Sequence, residues 1–284
     1  MGEDGLNATI LIDGHPATAD DLAHQALVNY GAYTSFCVEQ GAVRGLDLHL
    51  ARLEQAAVEL FGESPGEAEL RRLMAQAVEG HHACWLRVSL FSPEIGHRAP
   101  SFAGRPKVMT AVSPPPPPLA VSVRVKTIAY QREAPHLKHV ATMGLTRARR
   151  AARADGFDDA LFTDAEGRVL EGALWNIGFI RGERIVWPQG PMLAGVTQAL
   201  IQRGLSGAGL TSETRPVSLS DISAFNAAFL CNSATPACPI TAIDDTAFAA
   251  DPAMLDRLQR AWASQSPQAI AARDDDEGVS RLGR

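Results

Sequence analysis

The chain has no basic surplus: 26 Lys and Arg stand against 32 Asp and Glu, a formal net charge of −6. Nucleic-acid and anionic-membrane binders need such a surplus to release counterions, so neither class is expected. Any anion bound here must be held by a local site rather than by a global field. No apolar run approaches the ~20 residues a membrane helix needs. Glu3 and Asp4 stand where a secretory leader would carry Lys or Arg, which argues against export. The four cysteines (Cys37, Cys84, Cys231 and Cys238) form no CxxC pair and share no metal-type spacing with histidine, the pattern of reduced thiols in a cytoplasmic protein. His81, His82 and His97 also lack partners at ligand spacing, so no metal site is expected. GxGxxG and GxxxxGK[ST] are both missing, and with them the support for a Rossmann dinucleotide site or a P-loop. No internal repeat is visible.

What remains is a globular composition, 46% hydrophobic and 20% charged over 284 residues, enough for a core and about two domain-lengths at a prior of ~150 residues each. The sharpest break is the five-proline run Pro114 to Pro118, which can neither continue a helix nor donate to a sheet ladder. It divides the chain into a smaller N-terminal α/β domain (1–113), a linker (114–119) and a larger domain (120–265). The stretch 266–284, with its run of three aspartates, reads as a disordered tail.

In the first half, a strand at Ala8 to Asp13 is followed by a hairpin of Thr34 to Val38 with Ala42 to Leu46. Helical periods then run from Asp47 to Phe61, stopped by Gly62, and from Glu67 to Val78. Strands Cys84 to Phe91 and Lys107 to Val112 close this half. The second half opens with a strand, Ala120 to Tyr130, and a basic helix, Thr142 to Ala154. Hairpins follow across Asp164–Gly167 and Arg181–Glu183. A helix from Val196, strands at Ala227 to Cys231 and Ile240 to Ile243, and a helix Pro252 to Ala263 complete it. Hairpin-linked strands outnumber helices, so the predicted class is α+β with mostly antiparallel sheets and flanking helices. The RARRAARA helix carries no interleaved aromatics and reads as a solvated face. Trp85, Trp175 and Trp187 fall on predicted strands and read as packing residues.

Four short stretches could carry chemistry. Lys138 stands between a strand and a helix in HLKHVATMG. Glu171 and Asn176 follow a predicted turn in EGALWN. Gly195, Val196 and Thr197 open a helix, a natural anion site. Asn232, Ser233 and Ala234 end a strand just before Pro236. Each alone has an ordinary reading as a surface charge, turn acid, helix cap or strand-end turn. In order, they supply an amine nucleophile, an acid and two places for a phosphate.

That order resembles the class IV aminotransferases, the fold-type IV pyridoxal-phosphate (PLP) enzymes that include branched-chain and D-amino-acid aminotransferases and aminodeoxychorismate lyase. The likeness runs from about Asp13 to Asp244. It is densest in Lys138, DGFDDALFTDAEGRVLEGALWNIGFI, PMLAGVTQ and FLCNSATPACPITAID, with HLARLEQAA matching a His-x-x-Arg-Leu helix. The resemblance implies a two-domain, D-amino-acid aminotransferase-like fold with PLP mostly on the larger domain, an amino acid and a 2-oxo acid as substrates, and a homodimer. It also implies that Lys138 forms the Schiff base and then moves protons, and that Glu171 pairs with the pyridine nitrogen. Arg52, with donors at Gly195, Val196, Thr197, Ser233 and Ala234, would hold the phosphate. Leu193 would pack under the ring, and Asn176 would place the Glu171 segment. Where branched-chain and D-amino-acid enzymes carry an aromatic–glutamate pair, this chain reads Tyr33–Thr34. The threonine is closer to the lyase and is a candidate catalytic group. No RxH carboxylate trap follows Arg87, and Met143 replaces the tyrosine that branched-chain enzymes carry five residues beyond the lysine. Tyr33, Arg87, Arg98 and Arg132 are the candidates for substrate contact, the arginines for its carboxylate.

Overall fold

Strand periodicity at the N-terminus builds a seven-stranded sheet. A computed structural model describes residues 8–117 and 121–271. The strands of its first half are β1 (Thr9–Ile12), β2 (His15–Pro16), β3 (Ala32–Glu39), β4 (Ala42–Arg44), β5 (Ala83–Phe91) and β6 (Lys107–Ser113). Helices α1 (Ala19–Leu27), α2 (Leu46–Phe61) and α3 (Glu67–Val78) accompany them. Helix α2 buries Leu46, Leu50, Leu53, Ala57 and Phe61, spaced by three or four residues, onto the sheet, and Gly62 ends it in the left-handed conformation. Helix α1 was not expected from the sequence, although Thr18 and Asp21 form a capping box at its start.

The second sheet is built from β7 (Val123–Ala129), β8 (Asp159–Thr163), β9 (Val169–Gly172), β10 (Asn176–Arg181), β11 (Arg184–Pro188), β12 (Thr211–Arg215), β13 (Ala227–Cys231), β14 (Cys238–Ile243) and β15 (Thr246–Ala247). Helices α4 (Met143–Ala154), α5 (Val196–Gly204) and α6 (Pro252–Ala263) complete the half. Both expected hairpins form, β8 with β9 and β10 with β11. Parallel pairing is confined to β7 with β8 and β14, and β11 with β12, so the fold is α+β with mostly antiparallel sheets. Helices α5 and α6 meet so closely that a Cβ on Gly204 would lie 2.0 Å from the Ala261 carbonyl oxygen.

The expectation of a disordered tail from Ser266 is corrected for its first residues. Strand β16 (Pro267–Ala269) adds antiparallel to the edge strand β4, and Ile270 is buried in the core of the first sheet. The physical reason is an open strand edge with unpaired backbone groups, which a short returning segment satisfies. Arg71 Nη1 donates to the Ala269 carbonyl at 2.9 Å and the Asp47 N–H to Gln268 Oε1 at 2.9 Å, fastening it further. The aspartate run lies outside the described residues, as do Pro118, Leu119 and Ala120. Among the described residues, no helix is long and apolar enough to cross a membrane.

The two sheets are tied together beside Lys138. The Tyr33 N–H donates to the Lys138 carbonyl at 2.8 Å, and the Val140 N–H to the Gly31 carbonyl at 3.0 Å, so the 138–140 segment borders β3. Gly45, just before α2, meets Val196 and Leu200 of α5. A cavity of about 330 Å3 lies where these contacts converge, at the small end of the ~300–1,000 Å3 of small-molecule sites.

Candidate active site

The cavity gathers most of the sequence-predicted residues. Tyr33, Arg52, Arg87, Arg132, Lys138, Glu171, Asn176, Leu193, Gly195, Val196, Thr197, Ser233 and Ala234 line it. Two do not. Arg98 is exposed on the turn after β5, away from the cavity. Thr34 is fully buried, and its hydroxyl lies 2.6 Å from His49 Nδ1. Successive side chains of a strand point to opposite faces. Tyr33 and Ser35 therefore face the cavity, while Thr34 joins Phe36 and Val38 on the face covered by α2. This corrects the assignment of Thr34 as a catalytic group. Thr34→Val is expected to destabilise the protein by about 1–3 kcal/mol, because a buried imidazole nitrogen loses its partner. Turnover of the folded variant is expected within about threefold of wild type, since no cavity contact changes. Turnover lost with the melting temperature unchanged would return Thr34 to the chemistry.

The same alternation places the expected Arg87 and adds Trp85, which the sequence alone marked as a packing residue. Arg87 pairs across from Ser35, and Trp85 from Cys37, so both side chains share the cavity face with Tyr33. Trp85 is thus a cavity wall rather than a core residue; Trp175 is buried but also borders the cavity, whereas Trp187 is wholly buried. Trp175 lies just before β10, where its Nε1 donates to Asp159 Oδ2 at 3.2 Å. The Arg87 guanidinium lies 3.7 Å from the centre of the Tyr33 ring, and Arg87 Nε donates to Ser89 Oγ at 3.2 Å. Pro116 of the proline run borders the same end.

Lys138 and Glu171 lie at the centre. Burial pushes the Lys138 amine down to about 7, reinforced by the charges of Arg52 and Arg132 and opposed by Glu171. Burial pushes the Glu171 carboxyl up to about 7, opposed by Arg132, by a bond from the Leu193 N–H, and by Lys138 and Arg52. Asn176 reinforces the same loop, donating to the Leu193 carbonyl at 2.9 Å. Its Oδ1 comes so close to Gly195 that a Cβ there would lie 2.0 Å away, and only glycine fits.

The third side is an anion-receptive end. Helix α5 starts at Val196 with Gly195 as N-cap and no side-chain cap, so its first-turn N–H groups and the buried Thr197 hydroxyl face the cavity region. Ser233 borders it from the β13–β14 turn. The Ala234 N–H does not: it donates to Asn232 Oδ1 at 3.0 Å, as does the Thr235 N–H at 2.9 Å. That closed turn corrects the expectation of an Ala234 donor and leaves Ser233 to serve. Arg52 on α2 holds the neighbouring Ala194 carbonyl. Its basicity is lowered to about 10, first by burial and then by Arg132, so it stays charged at neutral pH.

An amine whose titration is brought down to about 7, set between a carboxylate and an anion cup, suits covalent capture of an aldehyde carrying a negative arm. The chain belongs to the class IV aminotransferase family, whose pattern, described as Amino-transferase class IV, matches residues 31–243, and these are PLP-dependent enzymes. It is similar to a probable branched-chain-amino-acid aminotransferase of Synechocystis sp., 25% identical over 114 residues, a match that spans 39% of this chain and only 37% of that one. An aminodeoxychorismate lyase of Bacillus subtilis is 24% identical over 236 residues, 78% of this chain and 80% of the lyase. Among solved structures, a hypothetical aminotransferase from Mycobacterium tuberculosis in its PLP-bound form shares the fold, with a TM-score of 0.74, 22% identity, and coverage of 92% of this chain and all of that one. The residues present fit PLP: the three sides of the cavity offer an acid, an amine and phosphate donors.

Proposed function

We propose that the protein is an aminotransferase that moves an amino group between an amino acid and a 2-oxo acid. The observation that supports it best is the juxtaposition of Lys138 and Glu171 in one cavity with Arg87, which has no carboxylate partner among the described residues. Bound PLP supplies an electron sink for the carbon next to the substrate nitrogen. Lys138 holds the cofactor covalently and then carries the proton from that carbon. Glu171 keeps a proton on the pyridine nitrogen. Arg52, Thr197, Ser233 and the first turn of α5 hold the phosphate, and Leu193 packs against the ring. Arg87 meets the substrate carboxylate between the Tyr33 and Trp85 walls.

The competing reading is the lyase, an elimination that releases pyruvate and 4-aminobenzoate. The long likeness to the Bacillus subtilis enzyme favours it, while the inward turn of Thr34 removes its sequence argument. Pyruvate released from aminodeoxychorismate without any 2-oxo acid would establish the lyase. Product that requires a 2-oxo acid acceptor would establish the aminotransferase. A homodimer and a cytoplasmic location accompany this reading, the first by resemblance and the second because none of the four cysteines is bridged. Sedimentation velocity checks the first.

Capture of PLP is expected to be pH-dependent in a defined direction. The neutral amine is the nucleophile, and Lys138 is neutral above about pH 7 rather than above its ordinary 10.5. The initial rate of chromophore formation is therefore expected to rise about tenfold between pH 6 and pH 8, tracking the neutral fraction of the amine. A rate still climbing steeply from pH 8 to pH 10 would contradict the depressed value.

A further inference from the structure

Arg132 is the cation that these roles do not use. It is buried, with 6% of its surface exposed, and it lies on the cavity wall between the two central groups. Its Nη1 is 3.8 Å from Glu171 Oε1, beyond hydrogen-bond length, and its Nη2 donates to the carbonyl of Leu137, the neighbour of Lys138, at 3.1 Å. Its Nε is buried with no partner among the described residues. A buried guanidinium donor left unmatched costs stability, and its natural complement is an acceptor that arrives with a ligand.

PLP has three substituents whose places the cavity constrains. The carbon that would join Lys138 is opposite the ring nitrogen that would face Glu171, and in PLP the phosphate arm and the 3-oxygen stand on either side of that axis. Arg52 is tied to Ala194, beside Gly195 and the first turn of α5, and so belongs to the phosphate edge. Arg132 runs from the Glu171 end to the Lys138 end and makes no bond to the phosphate cup. We propose that Arg132 contacts the 3-oxygen of bound PLP and, by stabilising its anionic form, sets the protonation of the nitrogen that joins the cofactor to Lys138.

This rests on the roles proposed above for Lys138 and Glu171. It separates Arg132 from Arg87, although sequence reading grouped both as carriers of a substrate carboxylate. The charged and titratable groups around Arg132 and Lys138 are Glu171 of β9, Arg52 and His49 of α2, Arg87 of β5, Tyr33 of β3, and His139, whose Nε2 is held by the Glu133 carbonyl.

The test is a pH titration of the visible absorption band of the PLP-loaded protein, for wild type, Arg132→Met and Arg132→Lys, with PLP affinity and thermal melting measured alongside. A cation at the 3-oxygen opposes protonation of the linked nitrogen. Removing it in Arg132→Met is therefore expected to move the titration midpoint up by about one pH unit or more. Arg132→Lys, which restores a charge, is expected to return most of that shift. A folded, PLP-loaded Arg132→Met protein whose midpoint stays within about 0.3 unit of wild type would overturn the assignment. So would a variant altered only in the KM for substrate, which would make Arg132 a carboxylate anchor. Should Arg132→Met fail to fold, Arg132→Gln, which also removes the charge, takes its place under the same two criteria: an upward shift supports the proposal and an unmoved midpoint overturns it. A wild-type chain that takes up no PLP would instead overturn the cofactor roles of Lys138 and Glu171, and this proposal with them.

Discussion

Lys138→Ala is expected to abolish turnover and the covalent chromophore together, with a loss on the order of 10³-fold or more, while the chain stays folded. The side-chain amine faces Tyr33, 5.0 Å from the ring centre, while the bond that ties this segment to β3 uses the Lys138 carbonyl, which alanine keeps. Burial of the amine together with Arg52, Arg87 and Arg132 is unfavourable, so its removal relieves repulsion that offsets the loss of the Tyr33 contact. Borohydride reduction followed by peptide mapping reads the result: PLP fixed to Lys138 in wild type and no fixed label in the variant, with matching far-UV circular dichroism. Near-normal turnover in the variant would sink the assignment of this lysine.

Much of this was legible in the sequence because the relevant signals are local. The helical period that buries Leu46, Leu50 and Leu53 of α2 and the turn residues between β8 and β9 lie within short windows, and the order of lysine, glutamate and small polar residues is a string of short local motifs. What escaped depends on which face a residue presents or on contacts distant in sequence. Thr34 and Tyr33 are neighbours with opposite fates, and only the pairing of β3 with β5 and the cover of α2 decides which one meets the cavity. Trp85 read as core for the same reason. Ala234 carries no mark of the bond that occupies its N–H, because the acceptor is the Asn232 side chain two residues earlier. Strand β16 is a short polar stretch beside a charged tail. Its order comes from β4, more than two hundred residues back in sequence, which no local window can register. Arg132 is the clearest case. Six residues before the lysine it reads as one of three candidate arginines for a substrate carboxylate, and only the packed structure buries it beside Glu171 with an unmatched donor.

Glu171→Gln is expected to lower kcat by about 10²–10³-fold while leaving PLP affinity within a few-fold of wild type. The two effects separate because the substitution leaves the phosphate donors, Arg52, Thr197 and Ser233, in place. Glutamine keeps the shape and can still accept the Leu193 N–H, so the loop from Pro188 to Gly195 retains its hold. What it loses is the negative charge that favours a proton on the pyridine nitrogen, and with it the ring's capacity to take electrons from the substrate carbon. The pH dependence has a defined sign. Burial raises the Glu171 carboxyl to about 7 against an ordinary 4.5, while Arg132 and the Leu193 N–H pull it down. In the PLP-free protein the carboxyl is therefore protonated below about pH 7, and added positive charge on the pyridine nitrogen favours its ionised form. Measured at saturating donor, the kcat of the glutamine variant should be low across pH 6 to 9, with KM for donor little changed. If kcat survives and PLP affinity collapses instead, Glu171 is an anchor for the ring and not the group that tunes its chemistry.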